Sequence, residues 1–117
     1  MKINRFEEII AWQKAQSLTF SLYKDFKDCR DFSFKDQIIR ATVSIMNNIA
    51  EGFERQTNTE LKRYLYIAKG SSGEVRSMLY LALELKYITE INFKTYYSIT
   101  EEISRLLSGF IKTLNNS

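Results

Sequence analysis

The chain has 117 residues, 44% of them hydrophobic and 26% charged, and 17 Lys and Arg against 14 Asp and Glu leave a net charge of +3. That length can bury a core without a metal or disulfide staple, so one domain over residues 1–117 is expected. With no histidine and a single cysteine, the usual general base, the usual zinc or iron ligand and any intrachain disulfide are excluded, and no cofactor is expected.

No proline and only four glycines suit long helices. The first is expected to begin after Asn4, with Glu7 three residues on completing a capping box, and to run to about Lys27. Ala11, Ala15, Leu18, Leu22 and Phe26 repeat along it at three- and four-residue spacing, and Trp12 falls beside them as a core or subunit contact. Glu7 and Glu8 stand where a signal peptide needs its apolar centre, and no apolar run approaches the roughly 20 residues that span a bilayer. A cytoplasmic protein with no membrane role is the expectation, with Cys29 a partly buried free thiol.

Ser33 with Asp36 gives a second N-terminal pattern, and the helix that follows, to about Glu54, carries two different faces. Taken at about 100° per residue, Ile38, Thr42, Ile45, Ile49, Gly52 and Phe53 share one arc, with Ile39 and Met46 at its edge. Arg40, Ser44, Asn47, Glu51 and Arg55 share the other.

A third capping box, Thr57 with Glu60, opens the longest helix, whose seam Leu61, Tyr64, Leu65, Ala68, Ser72, Val75, Leu79, Ala82 and Leu85 runs to about Lys86. The segment KGSSGE at 69–74 places two glycines inside it, each costing about 1 kcal/mol relative to alanine. The seam keeps phase across them, which favours one continuous helix, with the small residues and Gly52 admitting a close neighbour. The last helix restarts at Thr89 to Asn92 and carries Tyr96, Ile99, Ile103, Leu106, Phe110 and Leu114. Four such segments with short connections predict an all-α, up-down-up-down antiparallel four-helix bundle, with Ile38, Ile45, Ile49, Leu65, Ala68, Leu79, Leu106 and Phe110 buried.

Three sequence features bear on function. Glu51 and Glu74 form a candidate carboxylate pair from facing helices, but without histidine or a further acid at matching spacing catalysis is not expected. Asn48 and Glu51 read better as polar groups that fix helix pairing or subunit register. Lys62, Lys69 and Arg76 recur every seven residues and form a basic stripe with Arg63 and Tyr66 near it, the pattern a phosphate backbone and exposed bases would use. No Walker loop, G-x-G-x-x-G or nucleophile elbow occurs.

WQKA at 12–15, the run from Ser44 through Asn48-Ile49-Ala50-Glu51-Gly52, and IAKGSSGE at 67–74 together resemble the bacterial four-helix bundle proteins first described as encoded by intervening sequences in 23S ribosomal RNA genes. A more distant likeness is to the accessory variability protein of diversity-generating retroelements. The resemblance implies a homopentameric ring and, for the retroelement relative, a basic surface that engages nucleic acid and a reverse transcriptase. It places the family's polar signature on Ser44, Asn48, Glu51 and Gly52, and its small-residue turn on Gly70, Ser71 and Glu74. The chain departs from the expected pattern with Lys69 in place of arginine, and with Gly73 and Val75 where leucine is common.

Eight Phe, seven Tyr and one Trp exceed what one slender core uses, which also points to an oligomer whose interfaces take the surplus. Two function classes follow. One is an oligomeric protein that binds RNA or DNA through the Lys62, Arg63, Tyr66, Lys69 and Arg76 face; the other is a protein-interaction scaffold that serves an unidentified protein.

Overall fold

The structure, a computed structural model, describes residues 2–115. Its α-helices are α1 (Ile10–Asp25), α2 (Phe32–Phe53), α3 (Asn58–Glu84) and α4 (Glu90–Asn115), with a short 3-10 turn at Phe6–Glu8 before them. Each helix packs against its chain neighbours and α4 returns to α1, so the four form an antiparallel bundle 45 Å long and about 20 Å across, its other two extents being 21 and 19 Å. The α2–α3 contact is the most extensive and the α1–α4 contact the least.

The first helix begins later than the Asn4 cap predicted, and the reason is the placement of Ile9. Within a continuous helix Ile9 would point about 160° from Ala11, out of the core. Extended backbone at Ile9 (φ −74°, ψ 119°) turns its side chain inward instead, where it is buried. The turn before it is closed by the Asn4 backbone N–H donating to Glu8 Oε1 at 3.1 Å and by Gln13 Nε2 donating to the Glu7 carbonyl at 2.8 Å, while Phe6 packs edge-on against Trp12 at 5.2 Å.

Helix α2 is capped by Asp31, not by Ser33: its carboxylate accepts from the Phe34 N–H at 3.2 Å and, through its other oxygen, from the Tyr87 hydroxyl at 2.7 Å. Starting the helix there puts Phe34 in the core between Phe26 and Tyr87. The Thr57 cap forms as read, with the Glu60 N–H donating to Thr57 Oγ1 at 3.1 Å. Helix α3 then runs unbroken through Gly70 and Gly73. It ends in a Schellman closure, the Tyr87 N–H on the Ala82 carbonyl and the Lys86 N–H on that of Leu83, which sets Lys86 at φ 63°. Thr89 caps α4 through the Asn92 N–H.

Ile38, Ile45, Ile49, Leu65, Ala68 and Leu79 are fully buried, but Leu106 and Phe110 are only half-buried. The inward face of α4 is Tyr96, Thr100, Ile103, Leu107 and Ile111. The sequence carries two adjacent apolar stripes on this helix. The one holding Leu106 and Phe110 turns toward the loose α1–α4 seam, where they help line an apolar groove of about 440 Å³ beside Ile3 and Ile9. On α3, Tyr64 is half-buried and Leu85, the C-cap, is exposed. No described helix is long and apolar enough to cross a membrane.

Candidate functional site

Two polar faces flank α3. On the α2 side, Ser44 and Ser71 share a hydroxyl hydrogen bond at 2.9 Å, and Asn48 Nδ2 donates to both the Ser44 carbonyl (2.8 Å) and its Oγ (2.9 Å). One turn on, Glu51 accepts from Arg55 at 2.9 Å and from the Tyr64 hydroxyl at 3.3 Å, with the Arg55 guanidinium 4.9 Å from the Tyr64 ring centre. Gly52 makes this approach possible, since a Cβ there would stand 2.6 Å from Tyr64 Cβ. The helices touch backbone to side chain at that level.

Glu74 has a different neighbour. Its carboxylate accepts from Gln37 Nε2 at 3.4 Å, near the start of α2. Glu51 lies beside Tyr64, ten residues back along α3, so the two acids are separated by about 15 Å along the bundle. They form no carboxylate pair. Among the described residues no group of three or more His, Cys, Asp or Glu gathers as a metal site.

The small-residue turn of α3 also acts differently from its sequence reading. A Cβ at Gly70 would meet nothing within 4 Å and one at Gly73 only the Arg76 guanidinium at 3.8 Å, so neither glycine admits a neighbouring helix. The serines between them make the contacts: Ser71 reaches α2, and the buried Ser72 donates to the Thr100 carbonyl at 3.0 Å and pairs with Ser104 at 3.2 Å on α4.

On the α4 side of α3 runs the basic stripe. Lys62 Nζ donates to Asn115 Oδ1 at 2.8 Å, and Arg76 Nη1 donates to Ser104 Oγ at 3.3 Å, so both ends of the stripe lean over the groove between α3 and α4. Lys69 between them is exposed, as are Tyr66, one turn from both lysines, and Arg63 further round the crest. On α4, Arg105 and Lys112 border a shallow depression with Ser104 and Ser108, which extends the basic surface across the groove. Glu101 also stands on this face, since it and Arg76 both act electrostatically on Tyr97.

Sequence reasoning missed the aromatic end of the same face. Tyr80 on α3 meets Phe93 and Tyr97 on α4 with ring centres 5.3 and 5.5 Å apart, and Phe93 and Tyr97 are 5.5 Å from each other. The only signal was an aromatic pair four residues apart on α4, invisible as a partner for Tyr80 until the register of α3 against α4 is known. Two Tyr–Asp bonds at the same end of the bundle were likewise missed: Tyr96 donates to Asp25 at 2.6 Å and Tyr87 to Asp31 at 2.7 Å. Burial, then the Asp25 bond, pushes the Tyr96 phenol well above its ordinary range, while the Tyr87 bond holds Asp31 below the usual carboxylate range.

A family profile described as 23S rRNA-intervening sequence protein matches residues 7–109, which include all four helices almost to their ends and every residue of both polar faces except Asn115 and Lys112. The chain belongs to that family. A crystal structure at 1.70 Å of a protein of unknown function from the S23 ribosomal protein family of Bacteroides thetaiotaomicron is similar, with a TM-score of 0.81 and 26% identity over 87% of this chain and 98% of that one. Among curated proteins none matches the chain. The family resemblance seen in WQKA, the Ser44–Gly52 run and IAKGSSGE is therefore a membership, and these segments map to α1, to the α2–α3 polar face and to the serine contacts of α3.

Proposed function

We propose that this family member is a non-enzymatic homo-oligomer, a pentameric ring in keeping with its family resemblance, that binds nucleic acid without sequence preference through the α3–α4 face. The observation that carries this reading is the arrangement of Lys62, Lys69 and Arg76. All three stand along one side of α3 over about 21 Å, with the two outer ones held over the α4 groove by Asn115 and Ser104. Arg105 and Lys112 add charge from the facing helix, and Arg63 and Tyr66 border the stripe.

A line of cations held at fixed spacing fits a polyphosphate chain, and binding draws its free energy from released counterions. Three cations alone bind poorly. Five copies in a ring act together, so affinity depends on assembly as well as on charge. The Ser44, Asn48 and Ser71 cluster and the Glu51, Arg55 and Tyr64 cluster, by contrast, spend their hydrogen bonds on pairing α2 with α3, which supports a structural role for the polar signature.

The test is an anisotropy titration of labelled oligonucleotides at low and near-physiological salt, comparing the wild type with a Lys62→Gln, Lys69→Gln, Arg76→Gln variant, with light scattering for mass. Log affinity should fall with log salt, and the slope should shrink in the variant. Equal binding by both proteins refutes this face. A wild type that binds nothing at low salt leaves the protein-interaction scaffold as the better reading, and a concentration-independent monomer at micromolar protein refutes the ring.

A further inference from the structure

We propose that Tyr80, Phe93 and Tyr97 form a base-stacking platform at one end of the α3–α4 face, so that the surface selects single-stranded over double-stranded nucleic acid. This rests on the nucleic-acid reading above and deepens it. Helix α3 supplies the alignment: Lys62, Lys69 and Arg76 repeat every seven residues, and Tyr80 follows Arg76 by four, which keeps it on the same side of the helix. The line from Lys62 to Tyr80 spans about 27 Å, with cations along most of it and the aromatic cluster at its end.

The cluster is held in place yet open. Each of the three rings contacts the other two at 5.3 to 5.5 Å, and Tyr80 is tilted 58° to Phe93 and 76° to Tyr97. Phe93 and Tyr97 are half-buried and anchor the group, whereas Tyr80 keeps 55% of its surface exposed. The Tyr97 phenol is held above its ordinary range, first by a hydrogen bond with Tyr80, then by burial and by Glu101, while Arg76 lowers it in part, so a carboxylate and a guanidinium both act on the platform. Rings fixed before binding lose little freedom on meeting a base.

A duplex keeps its bases stacked on one another and offers such a face only phosphates. A single strand offers phosphates to Arg76 and Lys69 and a free base to Tyr80, and every base has a π-face, so the preference is for strandedness and not for sequence. A second copy of the chain is a weaker occupant, because the exposed aliphatic side chains at this end of α3, Leu81 and Leu85, and Ile67 further along it, lie on a different side of the helix from Tyr80, about 100° or more around it.

The experiment uses the whole chain and fluorescein-labelled probes: oligo-dT and oligo-U as single strands of each sugar type, and a hairpin duplex of equal length. Wild type, Tyr80→Ala, Tyr80→Trp and the triple glutamine variant are titrated at low and near-physiological salt, with light scattering for mass and 2-aminopurine oligonucleotides to report stacking. Tyr80→Ala should weaken single-strand binding roughly tenfold and leave duplex binding unchanged, as removal of one stacked base contact does. Tyr80→Trp should restore it, and the 2-aminopurine signal should be quenched by wild type but not by Tyr80→Ala. The triple variant should weaken both probe types. Equal affinity of wild type for single strands and duplex, or Tyr80→Ala binding like wild type, overturns the platform while leaving the basic face standing. A change of mass in Tyr80→Ala overturns it by making the cluster a contact between copies. No wild-type binding to any probe overturns the nucleic-acid reading and the platform with it.

Discussion

Alanine at Gly52 and alanine at Gly70 should move stability in opposite directions, although both positions lie inside long helices. At Gly52 the new Cβ would stand 2.6 Å from Tyr64 Cβ, 3.2 Å from Leu61 Cδ1 and 3.3 Å from the Leu61 carbonyl oxygen. Non-bonded carbons prefer about 3.5–4.0 Å, so α2 and α3 must part by about 1 Å. Neither Cβ can rotate away, because each is fixed to its backbone. Overpacking of this kind costs about 1–3 kcal/mol and, with both atoms fixed, the upper end applies; the better helix propensity of alanine returns about 1 kcal/mol. The net loss is about 2 kcal/mol. At Gly70 nothing lies within 4 Å of the new Cβ, so only the propensity gain of up to about 1 kcal/mol remains. At about 5 °C per kcal/mol for a chain of this size, Gly52→Ala should lower Tm by about 10 °C and Gly70→Ala raise it by up to about 5 °C. Circular dichroism at 222 nm during thermal and urea unfolding, at one fixed protomer concentration, measures both. If Gly52→Ala proves as stable as wild type while Gly70→Ala gains, the close approach of α2 and α3 is not what the glycine provides.

Ile49→Asp should abolish the folded state, since Ile49 has no exposed surface and an unpaired carboxylate there costs several kcal/mol; a native helical spectrum in that variant would refute the core assignment. Thr57→Ala should cost about 1 kcal/mol through loss of the α3 cap, read as a lower urea midpoint with an unchanged m value. Stability should fall at both ends of the pH range. Tyr96 and Tyr87 titrate above their unfolded value of about 10, so the stability they confer is whole below about pH 10 and is lost as pH rises beyond it. Asp31 titrates below its unfolded value of about 4, so its contribution holds above that pH and is lost as pH falls through the folded value. Urea midpoints from pH 2 to 11 test this, with Tyr96→Phe expected to flatten the alkaline fall and Asp31→Asn the acid one.

Much of the bundle was written locally. Apolar side chains at three- and four-residue spacing, the Thr57 cap and the absence of proline determine four helices and their order, because each of these acts within a few turns of one helix. The buried line Ile38, Ile45, Ile49 on α2 and Leu65, Ala68, Leu79 on α3 follows from the same periodicity. The break before α1 does not, since Ile9 is pulled inward by a core that the first ten residues do not contain. On α4 the periodicity offers two stripes, and only the position of α1 decides that Ile103, Leu107 and Ile111 face the centre while Leu106 and Phe110 face the open seam.

The candidate surfaces divide in the same way. That Lys62, Lys69 and Arg76 share a stripe is a property of one helix and is legible from spacing alone. That the stripe leans over α4, meets Asn115 and Ser104, and ends in Tyr80, Phe93 and Tyr97 depends on the register between two helices, which is set by how Ser72 packs on Thr100 and Ser104. The register of α2 against α3 likewise separates Glu51, beside Tyr64, from Glu74, beside Gln37, which a sequence places on facing helices but cannot place at the same height. Sequence determined what each helix presents, because helical geometry is fixed by the backbone; tertiary structure decided what each face meets, because sliding one helix by a turn changes every partner while leaving both periodicities intact.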